Sequence, residues 1–585
     1  MRVLCIAYIF ILFILFQSCN NNTNQIAADN ADSTFKQFEP VFMDAYWKHN
    51  PSSSIFTGYG KYYEELVIPD SASFINDISF SKQWLDSLHA INYKQLNDNN
   101  KITFDIIENN LQSAIWYNDT FKIHQWDPSE YNLNGECYYI INQPYAPLDE
   151  RLRILSKHIM HADDYYAVAL HNLYKPVREY TALAIQQNLG GLDVFGSSLT
   201  DSINISHLSA AEKDTLNAHV ARAVKSIKSY TDALQKMLDD KNTSFRNFAI
   251  GKELFTQKFK YDLQTDFTPE EIYSKALADK DHYIKEMYAT ANDLWGKYET
   301  SPKPADSIAL IQAVIDKISL HHANPAYILD TCKNLVHALE KFIIQKDLFD
   351  FDTTYPVIVR TMPAYEAGVT LASAEFTPPY QKQGDTYFNV EDLSKLSAAK
   401  VESNLREYND YSLQMLAIHE AMPGHCLQGV YNNKKSPDIV RSVFQNGAMI
   451  EGWAVYTETM MVENGWADHA PEMLLIHDKW KLRELANVLI DYDMQCLNYS
   501  KDSIMKLLTH DCFQTEAQAE EKYHRATVSQ VQLCSYYAGS SAIFSLRDEY
   551  KNKEGSKFNL KDFHEKFLSY GSSPVKYIKE RMLSN

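Results

Sequence analysis

Apolar residues recur at spacings of three and four along most of this chain, which predicts a mainly α-helical protein. Between Glu150 and Val177, the positions Leu152, Leu155 and Ile159 mark one helical face. Leu208 to Leu238 carries the same period, and Ser209 with Glu212 three residues on has the form of a capping box. Thr268 followed by Pro269-Glu270-Glu271 predicts another helix start. The texture changes near Tyr355. Val357–Arg360, Gly368–Leu371 and Tyr387–Val390 are short runs separated by Pro378-Pro379-Tyr380 and Gly384-Asp385, and they predict a small sheet. Helical periodicity resumes by Glu402 and continues nearly to the end.

The first residues break this pattern. Met1-Arg2 precedes an apolar run from Val3 to Phe16, then Gln17-Ser18-Cys19. That run falls short of the roughly 20 residues a membrane-spanning helix needs, and it reads as a secretory signal. A cysteine directly after Ser18 makes it resemble a bacterial lipoprotein signal, with Cys19 as the acylated first mature residue. Asn20 to about Ser33 is polar and reads as a tether. The expected organisation is a signal over 1–18, a tether over 19–34, a helical lobe over 35–350 and a catalytic lobe over 351–585. The expected location is the bacterial cell envelope, lipid-anchored, on the periplasmic side or at the outer membrane.

Composition narrows the partners. The 585 residues are enough for more than one packed lobe. A formal charge of -19 repels phosphate backbones, so nucleic acid is excluded as a partner. Among the 8 cysteines there is no Cys-x-x-Cys pair, which argues against a cysteine metal cluster. An oxidising compartment would permit disulfides among Cys137, Cys332, Cys426, Cys496, Cys512 and Cys534.

The chemistry concentrates near His419. Ser412 to Ala421 reads as a helix whose apolar face holds Leu413, Leu416, Ala417 and also Glu420. A carboxylate on such a face is costly to bury unless it is paired or works on a metal-bound group. In zinc peptidases a His-Glu pair supplies one ligand and the general base, and the second histidine comes four residues after the first. Here His425 comes six residues after His419. A regular helix would place it about 120° away. Pro423-Gly424 lies between them, and a kink there would swing His425 back beside His419. Glu451 follows in Glu451-Gly452-Trp453-Ala454-Val455-Tyr456-Thr457-Glu458 and is the candidate third ligand of one zinc ion. Glu458, seven residues on, shares its face and is placed to orient a ligand histidine. The competing reading of Glu458 is a solvated surface charge. Gly452 would allow close backbone packing. Glu420 is the candidate general base. Tyr536 or Tyr537 is the candidate oxyanion donor. Arg525 would clamp a substrate carboxylate or else pair with Glu520 or Glu521.

His419-Glu420-Ala421-Met422-Pro423-Gly424-His425 with Gln428, then Glu-Gly-Trp-Ala-x-Tyr-x-Glu, resembles the bacterial family called domain of unknown function 885. Arg525, Gln532, Tyr536, Gly539, Leu546-Arg547 and Gly571 fit that family's closing pattern, while Gln530 and Cys426 depart from it. The resemblance implies a helical zincin-like metallopeptidase architecture, with a small sheet before the metal-binding helix, and zinc. The expected function is hydrolysis of peptide or amide bonds in a peptide-like substrate. The alternatives are a non-catalytic helical lipoprotein that binds peptides or glycans, and a zincin that has lost activity.

Overall fold

The computed structural model describes residues 19–350, 356–363, 371–381 and 384–584. The signal segment 1–18 lies outside the described residues. The stretch read as a tether falls in the first helix, α1 (Cys19–His49). Helices dominate the rest of the chain, with one three-stranded sheet. No helix among the described residues is long and apolar enough to cross a membrane.

Both capping signatures form. Ser209 and Glu212 exchange bonds at the start of α2 (Ala210–Asp239). Thr268 and Glu271 do the same ahead of α3 (Pro269–Tyr298), where Pro269 fills the first helical position.

The sheet contains β1 (Val357–Thr361), β2 (Ala372–Glu375) and β3 (Thr386–Val390). β3 is central, parallel to β1 and antiparallel to β2. Strands β1 and β3 match the expected runs. For the middle run, Gly368 to Thr370 lie outside the described residues, and the observed strand begins at Ala372. Alternation gives the sheet two unlike faces. Phe388, Val390 and Ala372 are buried in one core with Leu413, Leu416 and Ala417. The opposite face is polar. There Arg360 bonds Glu375 (2.5 Å) and Asn389 (2.8 Å) and lies over the Tyr387 ring.

The core does not divide at residue 350. One cluster unites Phe255, Ile311 and Val314 with Leu482, Leu489 and Leu533. α3 packs along α4 (Pro471–Gln495), so helices from both halves of the sequence share one interior. α4 is unusual because it is buried on nearly every side yet rich in charge. Lys479, Lys481, Glu484 and Asp491 are all under 9% exposed. Such groups need partners. Lys479 bonds Glu407 (2.8 Å), Lys481 pairs with Glu484 (2.5 Å), and Ser540 donates to Glu484 (2.6 Å). The six described cysteines from Cys137 onward are all free thiols.

Candidate metal centre

The His-Glu helix, α5 (Ser412–Glu420), ends immediately after the glutamate, and α6 (His425–Lys435) starts on the second histidine. The expected kink is therefore a complete break, with two helices meeting at the Ala421–Gly424 turn. The turn is held by backbone bonds from Met422 to Ala417 (3.1 Å) and from Gly424 to Ile418 (3.0 Å). Trp453 donates its indole N–H to Pro423 (3.0 Å). Residue 424 must be glycine, because a Cβ there would sit 1.9 Å from the His419 carbonyl oxygen. The break brings the two imidazoles to a ring separation of 4.8 Å, nearly perpendicular.

The third group arrives on α7 (Gly447–Glu463), a single unbroken helix. α7 lies against α8 (Ser535–Glu554). Their backbones almost touch: a Cβ on Gly452 would meet Gly539 at 2.3 Å, and one on Gly539 would meet the Ala448 oxygen at 1.8 Å. This contact turns the Glu451 side of α7 toward the histidines. Glu451 Oε2 is 3.8 Å from His419 Nε2 and 3.6 Å from His425 Nε2. One ligand atom from each of the three groups falls within 4.8 Å of the others. Their side chains are 12%, 10% and 23% exposed for His419, His425 and Glu451.

Two histidines and a carboxylate with nitrogen and oxygen facing one point form a donor set suited to zinc. Zinc ligand bonds of ~2.0–2.1 Å place tetrahedral ligand atoms about 3.3 Å apart, closer than the 3.6 and 3.8 Å from Glu451 to the histidines and than the 4.8 Å that bounds the set. The tautomers also fit. Glu458 Oε1 bonds His419 Nδ1 at 2.6 Å, which leaves Nε2 directed at the centre. Glu458 is thus 3% exposed and not a solvated surface charge. His425 Nδ1 is buried without a partner.

The electrostatics follow from burial and crowding. Burial opposes ionisation of Glu451, but its contacts with His419 and His425 outweigh this and hold its carboxyl well below the usual range. For His419, burial favours the neutral ring, while Glu451 and Glu458 outweigh it and raise the imidazole well above its ordinary value. Burial raises Glu420, with His425 and His419 pulling it down and Glu451 pushing it up. No hydrogen bond among the described residues ties up the Glu420 carboxylate.

The remaining candidates sit apart from this cluster. Arg525 donates to Gln532 (2.9 Å) and to the Tyr536 hydroxyl (3.1 Å). It does not pair with Glu520, which bonds Lys501 and His524. Tyr537 is buried and donates to Asp279, so its hydroxyl is already engaged. Among the described residues, no hydrogen bond or ion pair joins Tyr536 or Arg525 to His419, His425 or Glu451.

A cavity of about 1290 Å³ opens beside the centre. Gln428 and Gly429, one turn beyond His425, line it together with Ile450, the neighbour of Glu451. The polar face of the sheet forms part of its wall through Arg360, Glu375 and Tyr387. The opposite wall comes from residues 132–144 and 186–194. Sequence reading missed this second wall. Its amide and aromatic residues carry no motif and no charge pattern.

The chain belongs to the family described as bacterial protein of unknown function (DUF885), whose profile matches residues 51–582. It is similar to a solved structure of a candidate lipoprotein of unknown function from Shewanella oneidensis, with 41% identity over 94% of this chain and 99% of the other, at a TM-score of 0.87. It shares its fold with a candidate lipoprotein from Colwellia psychrerythraea, with 15% identity, 95% and 98% coverage and a TM-score of 0.73. No curated protein matches.

Proposed function

We propose that this protein is a zinc-dependent hydrolase of zincin type that cleaves peptide or amide bonds. The observation that carries the reading is the convergence of His419, His425 and Glu451, with Glu458 orienting His419 and an unbonded Glu420 alongside. His419, His425 and Glu451 would hold the ion. Zinc bound there would supply Lewis acidity, easing deprotonation of water and polarising the scissile carbonyl.

The chain's own groups do the rest. Glu420 takes the proton from the attacking water and delivers it to the leaving amine. Its raised affinity for protons suits a group that must both accept and release one. Strand β2, which packs against α5 and α6, is the edge along which an extended peptide would lie. Tyr536, with its hydroxyl held by Arg525, is the candidate to stabilise the oxyanion once substrate closes the site.

The signal segment, Cys19 and the lipoprotein descriptions of the two similar structures support a lipid-anchored envelope protein with Cys19 as the acylated residue. The second reading, a binding lipoprotein without turnover, draws on the size of the cavity. One experiment separates the two. Wild type and Glu420→Gln are incubated with a peptide library. The hydrolase reading predicts cleavage by wild type and a loss of at least about 10²-fold in the variant. Equal behaviour of the two proteins refutes it.

A further inference from the structure

We infer that the helical wall of the cavity beside the metal centre binds a neutral saccharide, so that the substrate is a sugar-bearing peptide. This rests on the hydrolase reading for its peptide half and on the wall's own chemistry for the sugar. The cavity volume, about 1290 Å³, exceeds the roughly 300–1,000 Å³ of an ordinary small-ligand site. There is room for more than a short peptide.

The lining decides the class. Among the described residues the cavity wall includes one cation, Arg360, and it is already bonded to Glu375. Asp385 adds a negative charge. Among the described residues, phosphates, sulfates and acidic sugars find no unpaired positive partner there. The helical wall instead presents carboxamides. Gln143, Gln186 and Gln187 line the cavity, and their side chains make no hydrogen bond within the described protein. Carboxamides both donate and accept, which matches hydroxyl and acetamido groups.

Phe56 stands at the same wall, 49% exposed, edge-on to Tyr139 at 5.8 Å. A large exposed aromatic beside amides offers an apolar platform for a sugar ring. An extended peptide would instead use a strand edge, and this wall is helical.

The test titrates full-length Glu420→Gln protein with triacetylchitotriose and with cellotriose by calorimetry, with a sulfated oligosaccharide as control. The expected result is saturable binding of a neutral sugar, weakened on the order of tenfold or more by Phe56→Ala and by Gln187→Ala. The inference is overturned if neither neutral sugar binds at millimolar concentration. It is also overturned if binding ignores both substitutions, or if the sulfated sugar binds as well. A protein that cleaves plain peptides but binds no sugar leaves the hydrolase reading intact. One that binds sugar but holds no zinc and cleaves nothing leaves only the saccharide site.

Discussion

The two sides of the candidate metal centre are built in opposite ways. The histidine side is a broken helix, in which α5 stops at Glu420, a four-residue turn interrupts it, and α6 starts at His425. The carboxylate side is one continuous helix, in which Glu451 and Glu458 stand seven residues apart on one face of α7. The broken side depends on a single backbone geometry. The continuous side depends on close packing against α8. The difference predicts that small changes in the turn abolish the centre, whereas changes along α7 weaken it by degrees.

The largest effect is expected from Gly424→Ala. Its Cβ would collide with two backbone oxygens, those of His419 and Ile418, which cannot move aside as a flexible side chain could. Zinc retention, read by elemental analysis, should be lost, and stability should fall by about 3 kcal/mol in chemical denaturation. A Gly424→Ala protein that keeps its zinc would break the comparison.

Next comes Asp491→Asn on α4, which packs against both α5 and α7. Asp491 is fully buried, and its carboxylate meets the Val531 backbone N–H and, at 3.6 Å, the Cys534 thiol. Burial pushes its carboxyl up to about 7 from an ordinary 3.8. Because the folded value is the higher one, the protonated acid stabilises the fold at low pH, and that stability is lost as pH rises from about 4 through about 7. The asparagine variant should therefore gain relative to wild type across that window, by a few kcal/mol, and stay level above it. Paired denaturation curves at pH 4, 6 and 8 check this, and a constant offset would contradict it.

Glu458→Gln should act on the centre alone. With the His419 Nδ1 bond to a carboxylate gone, zinc affinity should fall about 10- to 100-fold with the fold retained. A competition titration with a chelator measures it. The smallest effect belongs to Ser209→Ala, far from the centre in sequence. It removes one exposed cap, costs about 1 kcal/mol and should leave zinc content unchanged.

Local signals in the sequence carried well where they were self-contained. The capping boxes at Ser209 and Thr268, strands β1 and β3, and the shared helix face of Glu451 and Glu458 all depend on residues close in sequence or on one helix face. The Pro423-Gly424 signal marked the irregularity but not its extent. Periodicity cannot distinguish a kink from two helices, because the deciding bonds run from Gly424 to Ile418 and from Trp453 to Pro423. The shared core across residue 350 was illegible for a similar reason. α3 and α4 meet only in three dimensions, some 200 residues apart in sequence. The charged interior of α4 even reads as a surface helix, since Lys479, Glu484 and Asp491 reveal their partners only once Glu407, Ser540 and Cys534 are placed. Of the two acids offered as alternative partners of Arg525, Glu520 is taken by Lys501 and His524.

Zinc content of purified wild type beside His425→Ala tests the central claim most directly. If His419, His425 and Glu451 form the site, wild type holds close to one zinc per chain and His425→Ala holds far less under the same dialysis. A wild type without zinc, or a His425→Ala protein that retains it in full, would contradict the account.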